Sequence, residues 1–175
     1  RIEAVSAGFH LYQEGQGNGR CDRFRHEEGS YRNPCEGLVL EGGEGSHNGK
    51  NYLAYTFYLE NQGSDTINYW YQIIVDDVIK NVDKAIRVMV YRNDEKTIYA
   101  RANENTGEAE PGTKKFYSEM EVLLEHRENF NPGDIDKFTI VIYLEGDDPD
   151  CVDSLIGGDM KMHMDITEEH IVPQE

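Results

Sequence analysis

The sequence has no apolar run approaching the ~20 residues a helix needs to cross a bilayer, so no helical membrane span is expected within its 175 residues. It also lacks a charged leader followed by an apolar segment, and it begins at Arg1 rather than Met. That start is read as the position left by a removed signal peptide, or a truncation. Basic residues are few: 17 Lys and Arg against 34 Asp and Glu give a net charge of −17. Such a chain repels a phosphate backbone, which excludes nucleic acid as the expected partner. Several catalytic signatures are missing as well. There is no Gly-x-Ser-x-Gly elbow, no phosphate-cradling Gly-x-x-x-x-Gly-Lys-Ser/Thr loop, no Gly-x-Gly-x-x-Gly and no His-Glu-x-x-His. The six histidines, His10, His26, His47, His126, His163 and His170, are scattered singly, and no zinc ligands are assigned. A metal role is conceivable for His163 and His170 only if the fold brings distant groups beside them.

Cysteine is scarce too, with three residues and no Cys-x-x-Cys, which argues against a cysteine zinc site. Cys21 and Cys35 bracket a polar segment with little core material, which a covalent closure would stabilise in an oxidising compartment. A Cys21–Cys35 disulfide is therefore expected. The competing pairing joins Cys151 to one of them, and three reduced thiols are the plain alternative.

What the chain does have is alternation. Apolar residues repeat every second position, the period of half-buried strands. Val5, Ala7, Phe9 and Leu11 share one parity near the N-terminus, and Leu38 to Leu40 is a short second strand. Tyr52 to Leu59 and Ile67 to Val75 follow, separated by a turn signal and able to form a hairpin. Ala85 to Tyr91 and Thr97 to Arg101 flank Arg92-Asn-Asp-Glu-Lys96 as a second hairpin. Ser118 to His126 is ambiguous, because Ser118 and Glu121 space like a helix capping box while Val122 to Leu124 suits a strand. Lys137 to Leu144 is apolar on both faces, as in a central strand. In the last strand Met160, Met162, Met164 and Ile166 point inward, and Lys161, His163 and Asp165 outward. Short strands without βαβ alternation predict an all-β fold: an antiparallel two-sheet sandwich of jelly-roll type, with an Ig-like sandwich as second choice. One domain spans 1–175, with 1–13 a candidate N-terminal donor strand and 167–175 a flexible tail.

The densest chemical feature is Glu145-Gly-Asp-Asp-Pro-Asp-Cys-Val-Asp153. Its carboxylates, Glu145, Asp147, Asp148, Asp150 and Asp153, are hard oxygen donors crowded on one loop, the chemistry that Ca²⁺ takes. Their spacing is not that of an EF-hand, and the structural alternative is a loop whose side chains bind its own backbone amides. The aromatics Tyr52, Tyr55, Tyr58, Tyr69, Trp70 and Tyr71 suggest a stacking platform, but strand parity favours core packing for Tyr69 and Tyr71, with Trp70 on the opposite face.

Tyr143-Leu-Glu-Gly-Asp-Asp-Pro-Asp-Cys151 and Ile156-Gly-Gly-Asp-Met-Lys-Met162 resemble the TasA/camelysin family of secreted Gram-positive proteins that carry a SipW-type signal. Tyr52 to Gly63, Lys84 to Val88 and Asn131 to Lys137 look like the same group in the same order, so the resemblance spans roughly residues 50 to 166. Cys21 to Cys35 lies outside it. The resemblance implies a secreted jelly-roll protein, extracellular or on the cell surface, in a biofilm matrix or surface layer. It also implies fibres formed by passing an N-terminal strand to the next subunit. The matching segment is Ile2 to Leu11, identified by position, with Val5, Ala7, Phe9 and Leu11 as its assembly residues. Camelysin-like members carry a metalloprotease label, which no zinc motif here supports. The expectation is therefore a non-enzymatic protein without a cofactor that associates with itself or with other surface proteins. A calcium-binding adhesive module is the alternative, and a camelysin-like metalloprotease the second.

Overall fold

A computed structural model describes residues 7–12, 44–48 and 52–169. Within them the alternating segments form strands in two stacked sheets. The four-stranded sheet runs in the order β1 (Ala7–Tyr12), β10 (Asp159–Glu169), β4 (Ile67–Ile79), β8 (Glu121–Phe130). The second sheet runs β2 (Gly45–Ser46), β3 (Tyr52–Glu60), β9 (Ile135–Leu144), β5 (Ile86–Arg92), β6 (Glu95–Ala100), β7 (Lys114–Lys115). Neighbours are antiparallel except β6 and β7, which are parallel.

Setting aside the two-residue strands β2 and β7, the pairing is nested. β5 pairs with β6, β4 with β8, β3 with β9 and β1 with β10. This is one long antiparallel ribbon folded at its middle. Rolling it up adds the β10–β4 and β9–β5 ladders and closes the two sheets. That is jelly-roll connectivity, so the all-β sandwich is of the first-choice kind rather than Ig-like.

Strand parity explains the core. Ile67, Tyr69, Tyr71, Ile73 and Val75 of β4 are all buried, as are Met160, Met162, Met164 and Ile166 of β10. They meet Phe57 and Leu59, Val88 and Val90, and Phe138, Ile140 and Ile142 from the opposite sheet. β9 is central and apolar on both faces: Val141 and Tyr143 join Ala54, Met89 and Tyr91 in a second buried cluster on the outer face of its sheet. Fully burying one such side chain contributes about 1.5–3 kcal/mol, so these stripes dominate the fold's stability.

Three expectations change. β3 and β4 do not form a hairpin: β3 pairs with β2 and β9, whereas β4 lies in the other sheet. The connection crosses the sandwich, and the buried Asn61 secures it. Its side-chain amide donates to the carbonyls of Asp65 (2.9 Å) and Phe130 (2.8 Å), and its Oδ1 accepts from Gly63 N (2.9 Å). The ambiguous segment is strand β8, because Leu123 pairs with Ile73 and buries its side chain. The capping-box spacing is used all the same, since Ser118 Oγ donates to Glu121 Oε2 (3.1 Å) and closes the turn leading into β8. Thr167, Glu168 and Glu169, expected in a flexible tail at 167–175, belong to β10, opposite Trp70, Tyr69 and Asn68. Leu38 to Leu40 and residues 170–175 lie outside the described residues.

Candidate functional site

The acidic loop leaves β9 at Leu144 and returns to β10 at Asp159. Its carboxylates do not converge. Asp148 is buried and turned inward, with Oδ2 2.6 Å from Nη2 of Arg87 on β5. Its other oxygen accepts the Asp150 amide at 2.8 Å, and its carbonyl accepts the Cys151 amide at 2.9 Å. Asp147 and Asp153 are exposed. Asp150 is half-buried, and burial, followed by the nearby Asp148 charge, raises its pKa above the usual carboxylate value. The Glu145 side chain accepts from the Asp147 amide at 3.4 Å. Among the described residues, no three His, Cys, Asp or Glu side chains are grouped so as to hold a metal ion. The five residues proposed for calcium thus share a loop and not a coordination sphere. Self-bonding to the loop's own amides accounts for Asp148 and Glu145.

Cys151 is disulfide-bonded. The other two cysteines of the chain, Cys21 and Cys35, lie outside the described residues, and so does the closure expected between them. A disulfide requires Cα atoms within about 7 Å, a condition that sequence spacing does not report.

The aromatics split between faces. Tyr69 is fully buried, edge-on to Phe130, and donates from its hydroxyl to Asp136 Oδ2 at 2.5 Å. Burial first, then this hydrogen bond, raises the Tyr69 pKa far above the usual phenol value. Asn93 Nδ2 (2.9 Å) and Arg127 Nε (3.2 Å) complete the shell of the buried Asp136. Tyr58 is exposed on the outer face of the six-stranded sheet under the Lys137 ammonium. Trp70 is exposed on the outer face of the four-stranded sheet, stacked on His126 at 4.2 Å. The six do not make one platform.

The histidines gain partners that spacing could not reveal. His126 Nε2 lies 2.9 Å from Glu169 and Nδ1 3.6 Å from Glu128. His163 Nδ1 lies 2.8 Å from both carboxylate oxygens of Asp76. His47 Nε2 meets Thr56 Oγ1 at 2.9 Å, and Thr56 Oγ1 meets Thr139 Oγ1 at 2.7 Å on the outer face of the six-stranded sheet. Thr56 and Thr139 are buried and His47 is half-buried. His26 and His170 lie outside the described residues.

An open cleft of about 800 Å³ lies where β4, β6 and the entry to β8 meet. Arg101 and Lys84, which line it, are both paired. Arg101 Nε lies 2.6 Å from Asp83, Arg101 Nη2 donates to the Glu119 carbonyl at 2.5 Å, and Lys84 Nζ lies 2.6 Å from Glu104.

The segment expected to act in assembly is described from Ala7 to Tyr12. β1 is an edge strand paired to β10, with Ala7, Phe9 and Leu11 opposite Met164, Met162 and Met160. Val5 lies outside the described residues. No family model, curated protein or solved structure matches this chain.

Proposed function

We propose that this chain is a secreted, non-enzymatic matrix or cell-surface protein of TasA/camelysin type, a fibre-forming subunit that assembles by strand donation. One observation carries the reading: the first described strand, β1, sits at the edge of its sheet and, among the described residues, pairs with β10 alone. If β1 is withdrawn, β10 is left with an open edge of backbone donors and acceptors, a template for the same strand of a second copy. Passed from copy to copy, such a strand makes a head-to-tail contact, which propagates as a filament where it does not close into a ring.

The test is size-exclusion chromatography and electron microscopy of the full chain beside a version lacking Arg1 to Gln13, with and without calcium. Filaments from the full chain and not from the truncated one support donation. Monomers in both, with calcium raising the melting temperature, favour the adhesive module instead. Chelator-sensitive cleavage of a general substrate, lost on histidine replacement, would restore the protease reading.

A further inference from the structure

On the outer face of the four-stranded sheet, β4 carries one residue more than the β10 segment opposite it. Lys161 pairs with Asp77 and Met162 with Val75, so Asp76 has no place in the ladder. A bulge of this kind re-aims side chains. Here Val75 stays buried while Asp76 and Asp77 are both exposed. His163 of β10 meets the bulged residue, with Nδ1 2.8 Å from each Asp76 oxygen, and its Nε2 lies 3.4 Å from Asp165 Oδ2. A neutral imidazole donates from one nitrogen and presents a lone pair at the other, whereas an ionised carboxylate only accepts. A ring with carboxylates at both nitrogens is satisfied at both ends only when doubly protonated.

We propose that His163 and the bulged Asp76 form a proton-operated latch between β10 and β4, closed in acid and slack in alkali.

The groups around the ring favour its charge. β4 contributes Asp76 and Asp77, and β10 contributes Asp165 and Lys161; on β1, Gly8 stands opposite His163 and His10 opposite Lys161. The hydrogen bond to Asp76, outweighing burial and assisted by the charges of Asp76 and Asp165, lifts the His163 pKa above its ordinary 6.5. A pKa raised in the folded state stabilises the fold fully below the unfolded value and is lost as pH rises through the folded one. The latch therefore opens on the alkaline side of 6.5.

The test is an NMR titration of the His163 ring in the full chain, paired with urea unfolding between about pH 5.5 and 9, a span that brackets the histidine range. The expected His163 midpoint lies above 6.5. Asp76→Asn and Asp165→Asn should each lower it by about half a unit, a threefold loss of proton affinity. The urea midpoint should fall as pH rises through the His163 midpoint, and the fall should be shallower in His163→Gln. Asp165→Asn leaves the bulge intact and carries the test if Asp76→Asn does not fold. A midpoint at or below 6.5, or one that neither carboxylate variant moves, overturns the proposal.

Discussion

Arg87 Nη2 and Asp148 Oδ2 lie 2.6 Å apart with both side chains buried, joining the central part of one sheet to the acidic loop 61 residues further along the chain. The pair explains why the loop's most inward carboxylate is not free to bind a cation. Breaking a buried pair by removing one partner leaves an uncompensated charge, at about 3–5 kcal/mol. Arg87→Ala should therefore lower the urea unfolding free energy by roughly that amount, whereas the double replacement Arg87→Met with Asp148→Leu should recover most of it. A single variant as stable as the parent would show that the pair is solvated.

Because Asp148 is held by Arg87 and by the Asp150 amide, millimolar calcium should leave the melting temperature unchanged. A ligand at 100 times its Kd stabilises the folded state by about 2.7 kcal/mol, an effect calorimetry detects easily. A calcium-dependent rise that disappears in Asp147→Asn would return the loop to the adhesive reading.

Tyr69 and Asp136 test the buried polar centre of the core. Tyr69→Phe keeps the ring and its edge contact with Phe130 but removes a donor from a carboxylate that retains Asn93 and Arg127. The expected loss is about 1.5–3 kcal/mol, the range for a hydrogen bond to a charged group. Burial also raises the pKa of Tyr69, Tyr71 and Tyr99. A spectrophotometric titration should therefore leave these three phenols unionised at about pH 10, where an ordinary phenol is half ionised. Simultaneous ionisation of all eleven tyrosines in folded protein would contradict their packing.

Gly158 sits where no side chain fits. A Cβ there would lie 2.8 Å from the Leu155 carbonyl oxygen, 2.9 Å from the Val82 Cβ and 3.0 Å from the Ile79 carbonyl oxygen. Two of these are backbone atoms that cannot swing away, so Gly158→Ala should destabilise by about 1–3 kcal/mol through overpacking. Gly112→Ala is the contrast: its Cβ meets nothing, and any effect comes from the φ of +74° alone. Thermal melts that rank Gly112→Ala as the worse of the two would overturn this account.

The alternation along the chain determined which side chains of β4 and β10 face the core, and it marked β9 as a central strand because both of its faces are apolar. It also placed the β5–β6 hairpin, whose turn at Asn93 and Asp94 is local. These features follow from a two-residue period and from short turns, which neighbouring residues set by themselves. Partner choice is different. β3 looked able to pair with β4 and instead lies across the sandwich on β9, because the buried Asn61 turns the chain from one sheet to the other. Tertiary structure alone likewise decided that Asp148 meets Arg87, that Cys151 enters a disulfide, and that a bulge delivers Asp76 to a histidine 87 residues away. Contacts at such separations depend on which ladder registers bury the most apolar surface together, a property of the whole sandwich that no single segment encodes.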